Sequence, residues 1–275
     1  YRPLSRTAPG KPVAADVKPL EVQVVALDWK WLFIYPEQGI ATVNEMAAPV
    51  GRPIRFRISA SSVMNSFYIP ALAGQIYAMP GMETPLNAVF DKTGAFQGFS
   101  ANYSGHGFSS MRFKAHSTDQ AGFDAWVAEA KKAGATLDRA EYLKLERPSE
   151  KEPVRRFAGV EAGLFDMVTN LCVEPGKMCM HQMMSLDAKG GMGKAGLYNV
   201  RQLAYDKFGG RGTHAHGGKS FVGEICADKQ DIAVRAAPKP GNPKPLTGAG
   251  MKQPSAEPSP TAPSVASETR PRPLS

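Results

Sequence analysis

The sequence predicts a mainly β chain: a Greek-key β-sandwich with C-terminal helices and a disordered tail. Three observations lead there. Pro53-Ile54-Arg55-Phe56-Arg57-Ile58-Ser59 alternates apolar and basic residues without a break, the pattern of a strand with one face buried. Several more short runs of this kind are separated by Gly, Pro or Asn, as in antiparallel sheets folded onto one another. The last 40 residues hold 10 of the chain's 23 prolines, with Ser, Ala and Gly between them, and such a composition cannot bury enough apolar surface to fold.

Taken in order, residues 1–20 read as an extended linker, because Pro, Gly and Lys recur from Pro3 to Pro12. Glu21–Leu27 is a strand, and Asp28–Tyr35 follows at once with aromatics two apart, so period-two spacing puts Trp29, Trp31 and Phe33 on one face. Ile40–Glu45, Pro53–Ser59, Gln75–Met79, Leu86–Phe90, Gly94–Phe99 and Met111–Ala115 complete the sandwich, residues 21–116. A helical extension, 117–171, comes next. Thr118 caps a helix in which Phe123, Trp126, Val127 and Ala130 share one face before Gly134. Asp138 with Glu141 caps a second helix stopped by Pro148, and Leu164–Leu171 is a third. An irregular Cys/Met/Gly-rich segment, 172–235, and the Pro-rich tail, 236–275, end the chain.

Composition excludes several classes. With 43% hydrophobic and 21% charged residues over 275, the chain is globular. It contains no apolar run of 18 residues, so no stretch of it reads as a membrane-spanning helix. The net charge of +8 is spread along the chain rather than gathered into a basic stripe, which speaks against a nucleic-acid partner. Gly190-Gly191-Met192-Gly193-Lys194 lacks phosphate-loop spacing, and no catalytic triad or paired carboxylates stand out. Cys172, Cys179 and Cys226 are an odd number; outside the cytoplasm two can pair, and spacing does not say which.

The stretch that organises the rest is Gly94–Phe113, a strand, a long Gly/Ser/Asn loop and a second strand. Its loop carries few large side chains and can lie against Ser61–Pro70 at one end of the sandwich. The spacing Asn65-Ser66-Phe67 … Ile69-Pro70, then Ala78-Met79-Pro80-Gly81, then Gly98-x-Ser100-x-Asn102-x-Ser104-Gly105 … Met111 resembles subunit II of the haem–copper respiratory oxidases. The wording VMNSFYIP, QIYAMPGM and SANYSG is similar to its quinol-oxidising, cytochrome bo-type branch.

That resemblance implies a cupredoxin-like sandwich. It also implies that Asn65, Ser100, Asn102, Ser104, Phe108 and Met111 stand where the cytochrome c branch holds a dinuclear copper centre, with only Met111 keeping the ligand's identity. The donors themselves agree, since a mixed-valence copper pair needs bridging thiolates and no cysteine precedes Cys172. On this reading the chain carries no metal or other cofactor and no catalytic residue. It is the periplasmic domain of a non-catalytic subunit of a proton-pumping ubiquinol oxidase in the bacterial inner membrane, joined to the membrane by a missing N-terminal anchor. Its partners are subunit I, which holds the haems and copper and whose assembly it supports, and the other oxidase subunits. Trp29 and Trp31 match the aromatic pair that lies before the copper in the cytochrome c branch and become core or subunit-contact residues.

Two alternatives remain. One is an electron-transfer subunit II of a cytochrome c oxidase, which needs the absent ligands. The other is a periplasmic copper-handling protein, suggested by Lys177–Met184, where Cys179, Met180 and His181 place thiol, thioether and imidazole together in a set suited to Cu(I). His214-Ala215-His216 reads as a solvated turn.

Overall fold

The computed structural model describes residues 6–8, 11–12, 17–191, 200–202 and 220–222. The expectations for the tail 236–275, for Cys226, His214 and His216, and for most of the linker and of segment 172–235 lie outside the described residues. Two short antiparallel pairs flank the main body: β1 (Arg6–Ala8) with β2 (Lys11–Pro12), and, near the other end, Val200–Gln202 with Ser220–Val222.

Two sheets make the sandwich. β3 (Leu20–Leu27), β4 (Lys30–Tyr35) and β5 (Ile40–Val43) are consecutive neighbours in a six-stranded sheet; β6 (Glu45–Pro49) is the edge of a five-stranded one. β7 (Ile54–Ala60) returns to the first sheet, beside β3. β8 (Asn65–Tyr68) and β9 (Ile76–Ala78) join the second, β10 (Thr84–Ala88) closes an edge of the first, and β11 (Gly94–Ser100) and β12 (Arg112–Thr118) lie in the second. Within these two sheets the pairs β3–β7 and β6–β12 are parallel and the other ladders antiparallel. This is the mainly β, cupredoxin-like class expected from the sequence.

Helices and short strands cover the first sheet. α1 (Gln120–Lys131) closes one end of the inter-sheet core with Phe123, Trp126, Val127 and Ala130, the face its periodicity predicts. β13 (Thr136–Leu137) precedes α2 (Arg139–Leu145); β14 (Arg155–Phe157) adds an edge strand against β5; β15 (Gly159–Val160) pairs with β13; and α3 (Leu164–Thr169) and α4 (Met180–Ala188) follow. β4 and β5, in the middle of the six-stranded sheet, are therefore buried on both faces. Trp31, Phe33 and Tyr35 of β4 point into the core between the sheets, whereas Leu32 and Ile34 point toward Leu137, Tyr142, Leu145, Phe165 and Val168. A strand buried on both sides shows no apolar/polar alternation, which explains the unbroken run in β4.

Four boundaries differ from the sequence expectation. Residues 21–35 are not one continuous run: β3 and β4 form a hairpin with Leu27 opposite Lys30, and Trp29 sits in the turn with φ 67°. A two-residue hairpin turn requires positive φ, so Trp29 leaves the face shared by Trp31 and Phe33. Ile40–Glu45 is split by Asn44, with φ 57°, which sends the chain from one sheet to the other. The Asn44 amide holds the crossing: its Oδ1 accepts from Trp31 N at 2.9 Å and its Nδ2 donates to Glu152 O at 2.8 Å. Asp119, not Thr118, caps α1, its carboxylate accepting from Gly122 N at 2.8 Å. The strand expected at Leu86–Phe90 runs from Thr84 to Ala88. Asp138 caps α2 as expected, accepting from Glu141 N at 2.7 Å.

Charged groups fasten the helical cover to the sheet. Lys30 is buried, and its ammonium donates to Arg147 O at 2.7 Å; burial pulls its pKa down against the opposing charges of Glu152 and Asp28. Arg57 reaches Glu83 at 2.8 Å and Asp166 at 3.4 Å and lies 5.0 Å from the Phe165 ring centre, tying α3 to β7. Hydrogen bonds from Arg57 hold Glu83, and from Arg155 hold Glu141, below the ordinary value of 4.5. A carboxylate held low in the folded chain stabilises it above 4.5, and that contribution is lost as pH falls through the folded value. We therefore expect Tm to drop as pH falls below 4.5, and an Arg57→Gln variant to lose less on that descent than the parent. Both carboxylates are substantially solvated, so the difference is small; equal losses in the two proteins contradict it.

Candidate functional site

The long loop between β11 and β12 lies against the loop that enters β8, as the sequence predicts. β11 meets β8 through Phe99 opposite Tyr68 and Ser100 opposite Phe67, which brings the two ends together. Ala101 N donates to Ser66 O at 3.0 Å, and Ser100 N to Met111 O at 3.2 Å, so the loop is stitched at its start to both neighbours. A one-turn 3-10 helix, Phe108–Ser110, brings the chain back into β12.

The six residues singled out from the sequence fall into two sets. Asn65, Ser100 and Met111 are buried at the base of the loops. There the Ser100 hydroxyl donates to Asn65 Oδ1 at 3.1 Å, and Asn65 Nδ2 donates to Val63 O at 3.2 Å. Met111 is fully buried in the inter-sheet core. The other three lie nearer the surface. Asn102 is half-buried and donates to Met64 O at 3.2 Å, clipping one loop to the other. Ser104 is buried but uses its carbonyl, which accepts from Trp29 Nε1 at 3.1 Å. Phe108 packs edge-on to the exposed Tyr103 ring, 5.7 Å between centres. As donors the set offers two hydroxyls, two amides, one thioether and a phenyl ring.

Trp29 forms a wall of this site. A Cβ on Gly107 would sit 2.5 Å from its ring, and one on Gly105, where φ is 111°, 3.3 Å from it. The loop can cross the indole only because both positions are glycine. Trp31 is elsewhere: fully buried, it meets Phe67 and Phe113 edge-on at 5.3 and 5.7 Å. The expected pair is thus one loop-contact and one core residue.

Sequence reasoning missed His106, whose Nδ1 faces Glu150 beside Trp29, and Asp28, whose carboxylate accepts from Ser62 at 2.7 Å. Both partnerships join residues far apart in sequence, and no local periodicity announces them.

At the far end of the helical cover, Cys172 and Cys179 form a disulfide. Cys179 therefore offers no thiolate to the soft cluster expected with Met180 and His181, and His181 turns its Nδ1 to Asn170 at 3.1 Å. Among the described residues no three His, Cys, Asp or Glu side chains gather as a metal site.

The buried hydroxyl–amide pair gives a testable result. Ser100→Ala removes the donor to Asn65 Oδ1 and leaves that oxygen unpaired at a buried position, at a cost of about 1–3 kcal/mol. Urea midpoints should fall accordingly for Ser100→Ala and move less for the half-buried Asn102→Ala. Equal midpoints in all three proteins would show that the loops do not depend on the pair.

The sandwich matches the model of the cytochrome c oxidase subunit II periplasmic domain over residues 36–118, and the helical cover matches the COX aromatic rich motif over residues 131–176. Cytochrome bo(3) ubiquinol oxidase subunit 2 of Pseudomonas putida is 51% identical over 170 residues, 62% of this chain and 54% of that protein. Ubiquinol oxidase subunit 2 of Acetobacter aceti is 52% identical over 170 residues, 61% of this chain and 55% of that protein. This chain thus spans about half the length of the curated relatives it matches. The periplasmic domain of subunit II of cytochrome oxidase of Bradyrhizobium japonicum is 26% identical with a TM-score of 0.40, covering 41% of this chain and 94% of that one. The two-sheet body and the helical cover are thus similar, over residues 36–118 and 131–176, to the cytochrome c oxidase subunit II periplasmic domain and to the COX aromatic rich motif.

Proposed function

We propose that this chain is the periplasm-facing domain of a non-catalytic subunit II of a proton-pumping ubiquinol oxidase. In this reading it sits on the outer face of the bacterial inner membrane and supports assembly of subunit I, which holds the haems and copper. The observation that carries it is the donor set at Asn65, Ser100, Asn102, Ser104, Phe108 and Met111. A dinuclear mixed-valence copper centre is held by bridging thiolates and imidazoles. Here the two bridging positions are serines, whose hydroxyls stay protonated, and the buried Ser100 hydroxyl is spent on Asn65. These residues do not fit the group. The names of the relatives, ubiquinol oxidase subunits 2, support the same assignment.

The electron-transfer alternative needs the thiolates, and the copper-handling alternative loses Cys179 to its disulfide. What the loops do instead is mechanical. Ser100 with Asn65, Asn102 with Met64 and Trp29 with Ser104 lock two loops into one polar surface with its apolar tip at Tyr103, a shape suited to resting on a larger partner. No residue of the chain is asked to transfer an electron or a proton.

Expressed from its full-length gene with an affinity tag, the protein should co-purify with a haem-bearing subunit, and the complex should oxidise ubiquinol but not reduced cytochrome c. A tagged protein that isolates alone, or a complex that oxidises cytochrome c, overturns the proposal.

A further inference from the structure

We propose that the chain carries a second, independent site: a thioether site for a soft monovalent cation, Cu(I) or Ag(I), built from Met82 on the loop after β9 and Met180 and Met184 on α4. Six of the 12 methionines fall at 79, 82, 178, 180, 183 and 184, two segments nearly a hundred residues apart that the fold brings into contact. Met180 lies directly on the loop, its sulfur 3.3 Å from where a Cβ of Gly81 would stand. Met82 is the next residue, and Met184, one helical turn on from Met180, shares its face. Both are open to solvent, at 54% and 63% exposure. Large apolar side chains left exposed together mark a contact or ligand surface rather than a core.

Both walls are fixed before any ligand arrives. The loop is held by Ser59, whose hydroxyl donates to Met82 O at 2.8 Å, and by the bridge from Ala60 to Pro80. The start of α4 is held by Met180 N donating to Asn170 O at 2.9 Å and by the Cys172–Cys179 bond one residue before the helix. That bond also decides the chemistry, because it removes the thiols of Cys172 and Cys179 and leaves thioethers as the soft donors among the described residues here. The carboxylate of Glu83, next in the chain to Met82, is engaged by Arg57 at 2.8 Å. Thioethers without a competing carboxylate favour Cu(I) and its close analogue Ag(I) over zinc, calcium or magnesium. His181, roughly 100° round the helix from Met180, faces Asn170 and is not part of the set.

The test uses the whole 275-residue chain with its disulfide intact, and ascorbate to keep copper as Cu(I). In competition with a chromophoric Cu(I) chelator, the chain should withhold one equivalent. A Met82→Leu, Met180→Leu, Met184→Leu variant should withhold none while keeping its Tm, because leucine conserves the volume of methionine. Should that variant fold poorly, the parent protein labelled at its methionine methyl carbons decides: Ag(I) should shift the signals of these three residues and leave that of Met111 unmoved. Absence of retention by the parent, undiminished retention by the folded variant, or shifts confined to other methionines each overturn the site. A protein partner covering the same sulfurs, with no affinity for the metal, would give the first of these results.

Discussion

Trp31→Ala is expected to lower the stability of the domain by about 3–5 kcal/mol, the cost of truncating a large aromatic in a packed core. The residue has no exposed surface and meets Phe67 and Phe113 edge-on, while Phe33 stacks obliquely on the same Phe113 at 5.0 Å. Its indole N–H has no hydrogen-bond partner among the described residues, so the loss is one of packing rather than of a polar contact. Trp29→Ala should cost less, since Trp29 is only half buried and surrenders one hydrogen bond to Ser104 and its contact with two glycines. On the proposed assignment both changes should, in membranes, lower the amount of assembled oxidase, while quinol turnover per assembled complex stays near that of the parent. Normal assembly with strongly reduced turnover per complex would show that these aromatics still carry electrons, and the structural role would then be wrong.

Gly98→Ala is expected to be about as damaging as a severe core truncation although it adds a single methyl group. Gly98 pairs with Phe113 across β11 and β12. The Phe113 ring lies flat over it: a Cβ at Gly98 would stand 2.0 Å from the ring's Cζ and 2.5 Å from both Cε atoms. The ring has nowhere to go, because it stacks on Phe67 at 5.4 Å with 8° between planes and also touches Trp31 and Phe33. Overpacking costs typically about 1–3 kcal/mol and more where the surroundings are stiff, so we place this change at or above the top of that range. Gly74→Ala is the control, since nothing lies within 4 Å of its added methyl group. Urea midpoints should separate the two clearly; similar midpoints would mean that the Phe113 stack yields more readily than its contacts imply.

The strands most legible in the sequence are those with one wet face. β7 and β12 alternate, and both were located to within a few residues. Where the physics is two-sided or local geometry is unusual, the pattern failed. β4 is buried on both faces and reads as an unbroken apolar run. The hairpin turn before it was hidden because a bulky Trp29, not Asn or Gly, takes the positive φ. The turn at Asn44 was hidden inside a run that looked like one strand. α1 and α2 were legible from their apolar faces and acidic caps, whereas α4 buries no residue and so carries no such stripe. Three cysteines left the pairing open, and only the fold selects Cys172 with Cys179. The site residues were found through the resemblance of two loops rather than through periodicity. The pairs that tie these loops to distant residues, His106 with Glu150 and Ser62 with Asp28, carry no sequence signal, and only the fold makes them.

The central claim is that this domain keeps the loops of a copper-binding sandwich without their copper chemistry. The most direct measurement is its copper content and visible spectrum after incubation with excess Cu(II) under air, without reductant, followed by gel filtration. The account predicts that no purple thiolate–copper absorption develops and that the retained metal falls well short of two ions per chain. Two coppers per chain with a purple mixed-valence spectrum would contradict it.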